Sequence, residues 1–90
     1  MNKTEMIDRI ARTADISKAA AERALDATMD AIKTELRKGE SVTLVGFGTF
    51  HATQRPGRTV RNPRTQAPVE VKAALVPRFR AGKALKDALN

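Results

Sequence analysis

The stretch from Arg55 to Pro68 holds almost nothing that a protein can bury. Besides Pro56, Pro63 and Pro68, its only aliphatic side chains are Val60 and Ala67. A segment without apolar side chains gains nothing from a core, so this one has to leave the body of the fold. The sequence on either side has the two-residue period of strands. Val42 and Leu44 alternate against Ser41 and Thr43, Thr49 to Gln54 return, and Val69-Glu70-Val71 and Leu75 to Arg80 follow the gap. A segment that leaves one strand and rejoins another either extends as a two-stranded ribbon or hangs as a disordered basic loop, and both readings stay open. Its tip falls near Asn62-Pro63-Arg64-Thr65, because Asn-Pro favours a turn.

The first 39 residues carry the helical period instead. Asn2 with Glu5 three residues on has the form of a capping box, and Met6, Ile7, Ile10, Ala11 and Ala14 recur on one face. Asp15 and Ile16 break the pattern, and Ser17 is a second cap candidate. Ala21, Leu25, Thr28, Met29, Ile32 and Leu36 then form the packing stripe of a longer helix. Arg37 and Lys38 suit its negative C-terminal end, and Gly39 supplies a left-handed stop. The expected chain is α+β and a single domain. It has a helical hairpin over 1–39, a three-stranded antiparallel sheet over 40–54 and 69–81 with Gly46-Phe47-Gly48 as a hairpin turn, a distal arm over 55–68, and a short helix over 82–90 after Gly82.

Such a chain is short of core. It has 90 residues, its aromatics are Phe47, Phe50 and Phe79, and much of its apolar content is alanine. Small domains remove a smaller share of their surface from water than large ones do. With no cysteine there is neither a disulfide nor a thiolate metal site to compensate, and oligomerisation is the remaining route. An obligate dimer is therefore expected, with Phe47, Phe50, Phe79, Leu36 and Leu44 in the core that the partner completes. No metal and no cofactor are expected. No stretch approaches the roughly 20 apolar residues of a membrane span, and the N-terminus lacks a signal-peptide apolar region, so an intracellular, cytoplasmic location is expected.

Charge is distributed unevenly. Residues 1–45 hold eight basic and eight acidic residues, whereas residues 46–90 hold nine basic residues against Glu70 and Asp87, which accounts for the whole net charge of +7. Between His51 and Val69 there is no acid. A one-signed segment attracts a polyanion, and nucleic acid is the commonest in a cell. A membrane surface is the rival, but peripheral binders pair charge with an apolar helical face, which Pro56, Gly57, Pro63 and Pro68 rule out here.

Arg55, Arg58, Arg61 and Arg64 recur every third residue. Prolines exclude a helix, and on an extended ribbon the period of two sends Arg55 and Arg61 to one side and Arg58 and Arg64 to the other. Charge on both sides suits insertion into a groove with phosphate walls, and arginine is the residue favoured in narrow minor grooves. Pro63 at the tip reads by itself as a turn former. Alternatively it is a rigid apolar wedge between base steps.

Enzymatic chemistry has little to work with. The chain offers one histidine, His51, no cysteine, and acids concentrated on helices among basic neighbours. Gly46-Phe47-Gly48 lacks the third glycine of a dinucleotide fingerprint and joins two strands. A binder of single strands would want exposed Trp or Tyr for stacking, and there is neither. Phosphate contacts alone discriminate poorly against RNA. The alternative from another class is a structural protein whose basic arm mediates assembly.

Over its full length the chain resembles the HU/IHF family of bacterial histone-like proteins. The matching motifs are Gly46-Phe47-Gly48-Thr49-Phe50, Arg61-Asn62-Pro63, Val76-Pro77-Arg78-Phe79 and Gly82-Lys83-Ala84-Leu85-Lys86. The resemblance implies an intertwined dimer with a helical base and two β-ribbon arms that embrace bent DNA in the minor groove, each inserting a proline; the wedge mechanism is that family's own and comes with the resemblance. It makes Pro63 the wedge and lines the arm with Arg55, Arg58, Arg61 and Arg64, beside Asn62. Lys3, Lys83 and Lys86 then touch phosphates from the body, and the expected DNA-binding set is completed by Lys72 and Arg80. Two positions depart from the family pattern. Val60 stands where glycine usually precedes Arg-Asn-Pro, and Gln66 stands where glycine usually follows the tip threonine, a place where positive φ is easy for glycine and hard for glutamine. The end at Asn90 without an added tail resembles the nonspecific HU branch more than a sequence-selective IHF subunit. The implied role is nonspecific bending and compaction of double-stranded DNA in the nucleoid, with bent, nicked or gapped forms as favoured substrates. A homodimer is expected, with a heterodimer with a paralogue as the variant.

Overall fold

Asn2 opens α1 (Lys3–Ala14) by accepting the Glu5 amide at 2.9 Å, one of the two bonds of a capping box. Asp15 closes the helix in the left-handed region at φ 56, a conformation that Asp tolerates better than most side chains. Ser17 Oγ then accepts the Ala20 amide at 3.1 Å and starts α2 (Lys18–Arg37). At its far end Gly39 has φ 81, and the amides of Gly39 and Glu40 donate to the carbonyls of Leu36 and Glu35 at 3.0 Å each, the paired bonds of a Schellman stop.

The computed structural model describes residues 1–90, which divide into two compact units, Met1–Thr34 and Glu35–Asn90. In the first, α1 is tied to α2 by Lys3 on Asp26 at 2.8 Å and Lys18 on Asp8 at 3.4 Å. Its buried residues are Ala11 and Ala21, one on each helix.

The second unit holds five strands and a helix: β1 (Val42–Leu44), β2 (Gly48–Arg55), β3 (Arg58–Arg61), β4 (Pro68–Val71), β5 (Ala74–Ala81) and α3 (Lys83–Leu89). β1, β2 and β5 form an antiparallel sheet in that order, while β3 and β4 form a separate two-stranded ribbon. Two boundaries differ from the sequence reading. Arg55 ends β2 and pairs with Ala74 in the sheet, and Val69 to Val71 pair with β3 in the ribbon. The interruption is Pro56-Gly57 on one strand and Lys72-Ala73 on the other. Proline has no amide to give the ladder, which explains a break there. Because Arg55 pairs with Ala74 and Arg58 with Val71, two residues are skipped on each side and the register carries through unchanged.

Period-two alternation gives the sheet two unlike faces. On one lie Val42 and Leu44 of β1, Phe50 of β2, and Leu75 and Phe79 of β5. The Phe79 ring centroid is 4.8 Å from that of Phe50 and 5.4 Å from that of Phe47 in the turn. On the other face lie Thr43, Thr49, His51, Thr53, Arg55, Val76, Arg78 and Arg80. The apolar face is left open, with Leu44 at 41%, Phe47 at 44% and Phe79 at 42% exposure.

Candidate nucleic-acid interface

The ribbon is the part of the second unit with least to bury and most charge. Its register sets Arg58, Val60, Val69 and Val71 on one face and Thr59, Arg61, Pro68 and Glu70 on the other. Arg58 and Arg61 thus point to opposite sides, as period-two alternation requires, and Arg55 is in phase with Arg61 across the break. Arg64 differs from the expected arrangement. It belongs to the turn and takes no strand face.

That turn is built by Asn62 and closes on Ala67. The Asn62 amide donates to the Ala67 carbonyl at 2.9 Å, and the Gln66 amide donates to the Asn62 carbonyl at 2.8 Å. Asn62 Oδ1 accepts the Arg64 amide at 2.8 Å and Thr65 Oγ1 accepts the Ala67 amide at 3.3 Å, so two side chains fix the loop from inside. Pro63 is exposed at its head. Gln66 sits at φ 61, so the backbone asks for the left-handed conformation at the expected position and a glutamine supplies it. Val60, the other departure, lies in ordinary strand opposite Val69.

The remaining expected contacts are scattered over the body. Arg55 is partly committed already, since its guanidinium donates to the Lys72 carbonyl at 3.3 Å across the break. Lys72 itself is exposed there, and Arg80 is exposed on the basic face of the sheet opposite Thr49. Lys83 and Lys86 are exposed on α3, three residues apart. The helix is seated by the Gly82 amide, which donates to the Phe47 carbonyl at 2.8 Å. In the first unit Lys3 is bound to Asp26, whose hydrogen bond and charge hold the ammonium pKa above its ordinary 10.5. Sequence reasoning missed Arg78. It shares the basic face with Arg80, and the signal was available in the alternation of Arg78-Phe79-Arg80.

A ribbon with arginines on both faces, a proline at its tip and acid only at Glu70 is an arrangement for entering a polyanion's groove. The model of the bacterial DNA-binding protein family matches residues 1–90. The chain belongs to that family. This bacterial DNA-binding protein is 61% identical over 89 residues to DNA-binding protein HU-beta of Neisseria meningitidis serogroup A, covering 99% of this chain and all of the relative. It is 58% identical over 90 residues to DNA-binding protein HU-beta of Escherichia coli, with both chains covered in full. Among solved structures, the Anabaena HU–DNA cocrystal superposes with a TM-score of 0.86 at 39% identity, covering 99% of this chain and 97% of that one.

Proposed function

We propose that this chain is an architectural DNA-binding protein of the nucleoid. It acts as a dimer, enters the minor groove with its ribbon and bends duplex DNA without reading a specific sequence. The observation that carries this reading is the turn at the ribbon tip, where Asn62 and Thr65 order the backbone from within and leave the ring of Pro63 exposed between Arg61, at the end of β3, and Arg64 in the turn. An apolar ring in that position separates base steps, and the bend brings more DNA onto basic surface. Arg58, Arg61 and Arg64, with Asn62, contact the groove. Arg55, Lys72, Arg80, Lys3, Lys83 and Lys86 neutralise phosphates, and DNA reaching Lys3 competes with Asp26.

Dimerisation follows from the missing core. No large side chain is fully buried, and the buried hydrophobic residues are Ala11 and Ala21. Phe47, Phe50, Phe79, Leu36 and Leu44 are the apolar surface that a second copy covers, and a homodimer is the simplest form. Groove and phosphate contacts place no demand on base identity, which favours the nonspecific role over a sequence-selective one.

The test is energy transfer between dyes at the ends of short duplexes of unrelated sequence, titrated over a salt series. The ends should approach on every sequence, and log K should fall linearly with log salt at about 0.9 per phosphate contacted. A duplex preferred by about a thousandfold or more would overturn the nonspecific reading.

A further inference from the structure

The two faces of the ribbon differ in kind. Arg58, Val60, Val69 and Val71 share one, and Thr59, Arg61, Pro68 and Glu70 share the other. Every aliphatic side chain of β3 and β4 other than proline is therefore on the first face, and the only acid between His51 and Lys86 is on the second. Val60 stands directly opposite Val69, and the two are 37% and 42% exposed. Glu70 takes part in none of the molecule's ion pairs.

Packing of one valine on the other helps to hold the strands together, yet it leaves the outer surface of both in water. Charge decides which face a duplex meets. A carboxylate with no cation to offset it is repelled by phosphates, so the Glu70 face turns outward, while Arg58 draws the valine face inward. Arg61, at the end of β3 beside the tip, has the length to reach a phosphate on the groove rim from the outer face. The valines then meet the wall of the minor groove, which is built of sugar edges. In DNA the 2′ position of that wall is C–H, whereas in RNA it carries a hydroxyl that both donates and accepts hydrogen bonds. A hydroxyl covered by a valine methyl loses its water and gains no partner.

We infer that the face carrying Val60 and Val69 is a sugar-reading surface, which favours deoxyribose over ribose in the groove that the ribbon enters. It rests on the DNA-binding reading above and adds a selectivity that phosphate contacts do not supply. The preference is moderate, because an apolar surface rejects an added hydroxyl by at most about a hundredfold.

The experiment measures affinity across a salt series for three duplexes of one sequence: all-deoxy, one with ribose at every third nucleotide of both strands, and one with 2′-fluoro sugars at the same places. Fluorine imposes the ribose pucker without a hydroxyl, so it separates the hydroxyl from the shape of the groove. Unmodified protein should bind the ribose duplex about tenfold more weakly than the all-deoxy one, with the fluoro duplex close to the latter. Val60→Thr/Val69→Thr keeps the shape of the face and offers hydroxyls to pair with ribose, so the ratio should fall toward one. Val60→Thr alone, which leaves Val69 to hold the strands, should move it the same way. Val60→Ile/Val69→Ile stays apolar and should keep the preference, as should Thr59→Val on the outer face. Equal affinity of unmodified protein for deoxy and ribose duplexes, an equal loss on the fluoro duplex, or a ratio unmoved by the threonine variants overturns the sugar-reading surface. A preference raised by Thr59→Val would put the opposite face on the sugars and overturn it too. If affinity for the all-deoxy duplex does not depend on salt, the DNA-binding reading fails and the surface with it; salt-dependent affinity without a ribose penalty removes the surface alone.

Discussion

Gly48 and Phe79 leave each other no room: a methyl group on Gly48 would lie 2.5 Å from Phe79 Cζ and 2.6 Å from the Arg80 carbonyl oxygen. Gly48 is the one buried residue of Glu35–Asn90, and the ring above it also packs against Phe47 and Phe50. The close approach explains why a glycine starts β2 at a position with no positive φ to justify one. Gly48→Ala forces both the ring and the β5 backbone to move, and the backbone is fixed by its ladder. A loss of about 1–3 kcal/mol in urea unfolding is expected, the usual range for overpacking. A loss near zero would mean that Phe79 and the β5 backbone at Arg80 both give way freely.

Folding should be coupled to association. With Leu44, Phe47 and Phe79 each more than 40% exposed in the single chain, a partner has to cover them before the second unit has a core. The thermal midpoint should therefore rise with protein concentration. Sedimentation that finds a stable folded monomer at micromolar concentration would remove the dimer.

Pro63 and Arg61 should fail in different ways. Pro63→Ala removes the wedge but no charge, so bending should decrease while the salt slope stays. Arg61→Ala should weaken binding on every duplex and flatten the slope by about one unit. Nicked or gapped DNA, already cheap to bend, should respond less to Pro63→Ala than intact duplex does. Equal losses of bending and affinity for both variants on all DNA would reduce Pro63 to a turn former.

Gln66 is held at φ 61 by the bonds that close the tip on Asn62. The left-handed region costs an L-residue about 1–2 kcal/mol, and a β-branched side chain fits it worst. Gln66→Ile should loosen the turn, visible as faster amide exchange at Asn62 and Gln66, and reduce bending. The unfolding midpoint, set by the sheet, should hardly move. Exchange rates equal to those of the unmodified protein would show that the tip has another conformation available.

Lys3 and Asp26 form a partly exposed pair at 2.8 Å. Asp26→Asn releases the ammonium for phosphate, and low-salt affinity should rise modestly. Since the Lys3 pKa is raised on folding, the pair's contribution to stability is complete below the ordinary 10.5 and disappears as pH climbs through the raised value. Unmodified protein should therefore lose stability above pH 10.5 more steeply than Asp26→Asn does. Parallel pH curves for the two proteins would show that the pair is not formed in solution.

Much of this was legible from the chain alone, because the signals were local. The Asn2 and Ser17 caps, the Gly39 stop, the change from helical to strand period, and the exclusion of residues 55–68 from any core all depend on side chains a few positions apart, and each element formed where they pointed. The left-handed position at 66 was legible only through the family resemblance, which puts glycine there, and the structure keeps that conformation although glutamine fits it poorly. Strand register was not, because pairing depends on residues far apart in sequence. Tertiary structure alone decided that Val69 to Val71 join the ribbon, that Arg55 stays with the sheet, and that Arg64 falls in the turn. It alone set Val60 opposite Val69 on the face away from Glu70, since one residue of slip would have turned either valine to the other face.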